Sequence, residues 1–230
     1  IGRKKAASCR NSVTGGCRQL FPMSEQLCQH FGECGGCSFQ DIPYSEQLAN
    51  KEKAIQELIA KGGFTCPLKP INHFSPWYYR NKMEFTFGER AGALVLGMNS
   101  KQQRNTIFDM QECRIFSKDT PAIINTVREF CRAKGYKAYN KYTFQGFLRY
   151  LTARETKFTK QLMLGIVTTN QTQLDKAGLI EALQKMSLES KLASVWHISS
   201  DSVSDAVVFD KKELIFGSEF VQETLGEFKF

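Results

Sequence analysis

Three thiols fall within ten residues in Cys28-Gln29-His30-Phe31-Gly32-Glu33-Cys34-Gly35-Gly36-Cys37, with a glycine pair between the last two. A glycine-rich turn loses much backbone entropy on folding and fills no volume, so it adds little to a core. The pattern is accounted for if the sulfurs converge on a metal centre. A four-thiolate site then needs one more ligand, and Cys113 is the candidate. Two centres take four cysteines: tetrahedral structural zinc and a [4Fe-4S] cluster. Zinc sites often use two short Cys-x-x-Cys knuckles, whereas Cys113 has no close cysteine partner, and this spacing favours the cluster. Gly35 and Gly36 would let the chain turn tightly, leave room for a cubane and aim backbone N–H groups at the sulfurs. The competing reading, buried free thiols, suits Cys66 and Cys131 but leaves the two glycines unexplained. Cys9 and Cys17 read as accessible thiols of an arm. His30 is placed as a donor beside the ligands rather than as a ligand.

The 230 residues are 42% hydrophobic and 23% charged, an ordinary globular balance that allows one sizeable core or two small ones. The net charge of +8 fits a polyanionic partner such as nucleic acid. No apolar run is long enough to cross a bilayer, and the basic start Ile1–Lys5 is followed by no apolar segment of a signal peptide. Eight cysteines without a secretion signal favour metal or redox chemistry over disulfides. The expectation is a cytoplasmic monomer without membrane contact. The first residue is not Met, which suggests a processed product or an excised piece.

The elements that must position the thiols read as follows. Residues 1–27 form a basic arm, and 28–43 with 109–115 a small metal-binding lobe. Residues 44–230 form a central α+β domain. Within it, Tyr44 to Ala60 has helical spacing, with Leu48, Ile55, Leu58 and Ile59 on one face, and the helix would pack beside the cysteine loop and help hold it. Gly62-Gly63 stops it. Met83 to Phe87 alternates like a strand and pairs with Ala93 to Met98 across a glycine turn. Asn105 to Phe108 is a third strand leading to Cys113. A helix with Pro121 in its first turn runs to about Ala133. Phe147 to Glu155, Gln161 to Thr169 and Leu192 to Ser199 read as strands, and Thr172 to Met186 as a helix. The tail offers strands at Glu213 to Phe216 and Phe220 to Gln222. Without a regular βαβ repeat or a dinucleotide fingerprint, the fold class is α+β with a largely antiparallel sheet and flanking helices.

Cys28-x5-Cys34-Gly35-Gly36-Cys37 resembles the cluster motif of the [4Fe-4S]-containing RNA uracil-5-methyltransferases. Three further landmarks agree in order and distance: Tyr79-Arg80-Asn81-Lys82-Met83-Glu84-Phe85, Leu96-Gly97-Met98 with Asp109-x3-Cys113, and Leu148 to Arg154. The resemblance covers about residues 28 to 230. It implies a cluster held by Cys28, Cys34, Cys37 and Cys113, an RNA substrate (ribosomal 23S rather than transfer RNA) and S-adenosylmethionine as methyl donor in the full-length protein. It also implies that the methyltransferase domain, with its nucleophilic cysteine and general base, follows this chain. The piece alone would then be inactive, with no catalytic residue and no S-adenosylmethionine site of its own.

Arg80 and Lys82, beside Trp77-Tyr78-Tyr79, are the RNA-binding candidates: basic side chains hold phosphates and aromatic rings stack on splayed bases. Arg149 and Arg154 are placed on the same RNA-facing surface, and Lys101, Arg104, Lys4 and Lys5 as looser phosphate contacts. Two other functions remain open: a metal-stabilised RNA-binding module, and a zinc-stapled structural or interaction domain.

Overall fold

A computed structural model describes residues 27–202 and 210–230. The basic arm with Lys4, Lys5, Cys9 and Cys17 lies outside the described residues. Seven strands form one sheet in the order β3-β2-β1-β4-β5-β6-β7. They are β1 (Lys82–Arg90), β2 (Ala93–Asn99), β3 (Ile107–Asp109), β4 (Leu148–Glu155), β5 (Gln161–Thr168), β6 (Lys191–Ser199) and β7 (Lys211–Gly217). Every neighbouring pair is antiparallel except β5 and β6. That parallel pair needs a crossover, which α3 (Lys176–Gln184) supplies. The α+β expectation holds, with this single βαβ unit added.

Alternation sets one face of the sheet inward: Met83, Phe85 and Phe87 of β1 are buried while Glu84 and Thr86 are only half so. Helix α2 (Thr120–Ala133) brings Ile123, Ile124, Val127, Phe130 and Cys131, a helical stripe, onto the same core. Its N-terminus is fixed from outside: Asp119 accepts the backbone N–H groups of Glu189 and Ser190 at 2.7 and 2.9 Å.

Helix α1 (Tyr44–Lys61) forms as expected but has no buried residue, and Ile55 and Leu58 are exposed. The helix does sit beside the cysteine loop and help hold it, but not through Ile55 and Leu58. Only the first turn engages that loop, where Gln47 donates to the carbonyls of Phe39 and Ile42, both at 2.8 Å. The tail differs too. Residues 220–222 form no strand, and a short hairpin of β8 (Thr224–Leu225) and β9 (Phe228–Lys229) follows instead. The Glu223 carboxylate accepts the backbone N–H groups of Lys157, Phe158 and Thr159. This pins the hairpin to the β4–β5 turn, a contact that strand periodicity does not encode.

Candidate metal centre

Cys113 follows β3 and meets the cysteine loop at the sheet end where β2 finishes. Several bonds bring the two segments together. Gly35 N–H donates to the carbonyl of Asn99 at 2.8 Å, and Lys101 N–H to that of Glu33 at 2.8 Å. His30, 7% exposed, packs edge-on to Phe108 with ring centroids 5.0 Å apart. Its Nε2 accepts the N–H groups of Gln111 and Glu112 at 3.0 and 3.3 Å. An accepting Nε2 is unprotonated, so His30 is neutral with its proton on Nδ1. His30 therefore welds the loop to the segment that carries Cys113, and is not seen to donate to a sulfur. The far side of the loop is closed by Gln40, whose Oε1 accepts Cys28 N–H at 3.0 Å.

Cys113 is held as firmly from the body of the fold. Asp109 accepts Leu96 N–H at 3.1 Å and an N–H of Arg128 at 2.8 Å, and Arg128 also donates to the Met110 carbonyl at 3.0 Å. Beyond Cys113, the buried Glu155 accepts Ser117 Oγ–H at 2.6 Å and Ser190 Oγ–H at 2.9 Å, and is paired with Lys157. Burial pushes the Glu155 carboxyl up, but its bonds from Lys157, Ser117 and Ser190 outweigh that and leave it below the usual carboxylate range.

The result is one cavity lined by Cys28, Cys34, Cys37 and Cys113, together with Met83, Met98 and Met110. All four thiols are free of disulfides. Cys113 and Ile115 belong to the main core, with Cys34 and Cys37 packed against it, so the expected lobe has no separate core. Burial pushes the Cys113 thiol up to about 12, and the neighbouring Cys37 and Cys34 add to this against the backbone N–H groups of Ile115 and Phe116. Cys28 and Cys34 are likewise raised, chiefly by burial. Such sulfurs become thiolates only when a cation supplies the compensating charge. Gly36 N–H already points at Cys34 Sγ, 3.4 Å away. Among the described residues no group of three or more His, Cys, Asp or Glu side chains is gathered so as to hold a single metal ion. The donor set is soft, apolar-walled and supplied with backbone N–H groups, which fits a thiolate-bound centre. Cys131, equally buried in α2, and the exposed Cys66 stand apart from it.

A cleft of about 820 Å³ opens beside the thiols, between the cysteine loop, the start of α1 and residues 72–79. Phe39, Tyr44, Phe74, Trp77 and Tyr79 line it, with Lys51 at its edge. Phe39, Phe74 and Tyr79 are 63%, 80% and 59% exposed, more than core aromatics allow. Its inner wall is fixed to the Cys113 segment, since Tyr78 N–H donates to the Arg114 carbonyl at 2.7 Å and Arg80 N–H to that of Ile115 at 2.9 Å. The sequence singled out Trp77 and Tyr79. Phe39 and Phe74 escaped notice because they come from separate irregular segments with no shared period.

The four RNA candidates divide. Arg80, Lys82 and Arg154 are exposed at this end of the sheet, and Lys82 and Arg154 are direct cross-strand partners. Lys82 is paired with Glu84 at 2.6 Å. Arg149 is 4% exposed, and its guanidinium donates to the carbonyls of Ser200 and Ser202 and lies over the Tyr139 ring at 4.7 Å. It does not share a surface with Arg154. Arg149 falls where the β4–β5 register shifts, and its burial takes it off the exposed surface on which Arg154 stands. Lys101 clamps the cysteine loop, with Nζ on the Cys37 carbonyl and over the Phe31 ring, rather than standing free for phosphate.

No protein-family model matches the chain. An uncharacterized RNA methyltransferase of Clostridium tetani is 36% identical over 210 residues, covering 90% of this chain and 46% of that protein. A second, from Caldanaerobacter subterraneus subsp. tengcongensis, is 34% identical over 209 residues with the same coverage. Among solved structures, Pyrococcus abyssi tRNA (uracil-54, C5)-methyltransferase in complex with S-adenosyl-L-homocysteine superposes with a TM-score of 0.64 at 26% identity, over 86% of this chain and 44% of that one. The chain is thus homologous to part of a group of bacterial proteins described as RNA methyltransferases, and spans about half the length of the curated relatives it matches. No described helix is long and apolar enough to cross a membrane.

Proposed function

We propose that this chain is the cluster-bearing, RNA-contacting part of an S-adenosylmethionine-dependent RNA (uracil-5-)-methyltransferase acting on 23S ribosomal RNA. Methyl transfer itself is assigned to the portion of the relatives that this chain does not match. The observation that carries the reading is the meeting of Cys28, Cys34, Cys37 and Cys113 around one cavity, next to an aromatic cleft, in a chain homologous to RNA methyltransferases.

Those four cysteines would hold a [4Fe-4S] cluster. Bound there, the cluster supplies a covalent staple between the loop and the end of β3. The preference for a cluster over zinc rests on the spacing of the ligands, three close cysteines and one remote, rather than two short knuckles. The chain's own residues do the rest. His30, Gly35 and Lys101 hold the loop against β2, and Tyr78 and Arg80 hold the cleft wall against residues 114–115. The cleft is then preorganised to stack an unpaired base, while Arg80, Lys82 and Arg154 take phosphates. A cleft of this volume suits a nucleotide-sized ligand.

The test uses the whole gene product, reconstituted anaerobically, with a 23S ribosomal RNA transcript. Mass spectrometry of the digested RNA should show 5-methyluridine. Methyl incorporation at a base other than uracil, or into transfer RNA alone, would overturn the substrate assignment.

A further inference from the structure

At the opposite end of the sheet, about 25 Å from the thiols by the length of β4, residues 137–146 form a loop that neither the metal centre nor the cleft uses. Its sequence, Lys137-Ala138-Tyr139-Asn140-Lys141-Tyr142-Thr143-Phe144-Gln145-Gly146, interleaves basic and aromatic residues. Tyr142 and Phe144 are 66% and 50% exposed. The loop is nonetheless rigidly built. Asn140 Oδ1 accepts the N–H groups of Tyr142 and Thr143 at 2.8 and 3.2 Å, and Asn140 exchanges backbone bonds with Phe144 and Gln145. Gln171, in the bend after β5, clamps the loop, donating to the Phe144 carbonyl at 2.8 Å and accepting Gly146 N–H at 3.0 Å.

These bonds hold Phe144 at φ +57°, a left-handed conformation that costs a non-glycine residue free energy. Glycine or asparagine would relieve the strain. An aromatic ring at this position, half out in solvent, adds little to the core in return. Backbone strain that displays an exposed ring points to a use for the ring. Phe144 also walls a recess of about 290 Å³ with Tyr139, Asn170 and Asp201. Asp201, the one carboxylate lining it among the described residues, has both oxygens on Asn170, at 2.9 and 2.7 Å. Exposed Lys137 flanks the loop, and Lys141 lies over the Tyr142 ring at 5.6 Å.

We infer that this loop is a second RNA contact, a stacking platform on which Tyr142 and Phe144 receive unpaired bases while Lys137 and Lys141 hold the adjoining phosphates. The inference rests on the RNA reading above and extends it to a site that nothing else in the molecule requires. Single-stranded RNA is the occupant favoured over a protein, because every charged side chain of the loop is a lysine. Aromatic rings between cations match bases between phosphates.

The test is fluorescence anisotropy of the 230-residue protein with a fluorescein-labelled 20-nucleotide oligouridylate. Tyr142→Ala with Phe144→Gly should weaken binding at least tenfold, since stacking contributes about 1–3 kcal/mol per base. Phe144→Gly alone should leave the melting temperature unchanged or higher, because the backbone strain is released. Tyr142→Phe should bind as the parent does. Lys137→Gln with Lys141→Gln should lower the salt slope by about 1.4. Parent-like affinity in the double aromatic variant, or competition by a duplex of equal length as strong as by single strand, overturns the platform and leaves the RNA reading intact. Failure of the parent protein to bind the oligouridylate overturns both.

Discussion

Replacing Gly35 by alanine should unseat the cysteine loop, whereas the same change at Gly36 should not. A Cβ on Gly35 would lie 2.6 Å from the carbonyl oxygen of Asn99. That oxygen is strand backbone and cannot swing away. Restoring an ordinary contact requires the loop to retreat by about 0.4–0.8 Å. The retreat stretches the 2.8 Å bond from Gly35 N–H to the same oxygen past the normal range. Losing that bond costs about 1 kcal/mol, and residual crowding takes the total to about 1–2 kcal/mol. Local opening of the loop would then rise roughly 5- to 30-fold. A Cβ on Gly36 meets only Cys34 Sγ, at an ordinary 3.5 Å, and keeps the N–H···S contact. Neither residue has a positive φ, so backbone strain does not confuse the comparison. Hydrogen exchange read by mass spectrometry over peptides spanning 28–42 measures the opening. Equal protection in both variants, or a looser loop in Gly36→Ala, would refute this account of how the loop is seated.

Other perturbations separate the parts. His30→Leu removes the acceptor for two backbone N–H groups and should cost about 2–3 kcal/mol in a urea melt, with exchange rising at Gln111 and Glu112 as well as in the loop. An unchanged midpoint would deny His30 its role as the weld. Arg149→Ala should destabilise the fold by about 2–4 kcal/mol through its lost carbonyl bonds, while leaving the salt slope of RNA binding unchanged. Arg80→Gln with Lys82→Gln and Arg154→Gln should do the reverse, and the slope measured by anisotropy decides between the two. For Glu155 the folded-state pKa is lowered, so the folded protein binds fewer protons than the unfolded chain near that value. Its contribution to stability is complete above about pH 4.5 and is lost as pH falls through the folded pKa. Glu155→Gln should therefore flatten the acid limb of a stability profile below about pH 4.5, and a limb as steep as the parent's would assign it to other carboxylates.

Much of this was legible in the sequence because spacing carried it. The alternating run of β1, the apolar strand runs of β4 and β5 and the helix that opens at Pro121 lie where the sequence puts them. The closeness of Cys28, Cys34 and Cys37 in the chain made a loop with a distant fourth partner a definite expectation, and Cys113 does line the same cavity. What periodicity cannot encode is which partner a face finds. Helix α1 has an apolar stripe, yet among the described residues nothing covers Ile55 and Leu58. Arg149 was grouped with Arg154 because the two flank an apolar strand, but carbonyls more than fifty residues away claim it. His30 looked like a donor from its place among the cysteines. Its accepting role depends on Gln111 and Glu112, eighty residues on, and no local pattern signals that. The reason for Gly35 was also hidden: Asn99 demands it by close approach, rather than any unusual φ.

The most direct measurement is iron, acid-labile sulfide and zinc per chain after anaerobic reconstitution, made on the parent protein and on Cys113→Ala. The expected result is about four iron and four sulfide in the parent and loss of most of both in Cys113→Ala. One zinc and no sulfide, or loading in Cys113→Ala equal to the parent's, would contradict a cluster closed by the remote cysteine.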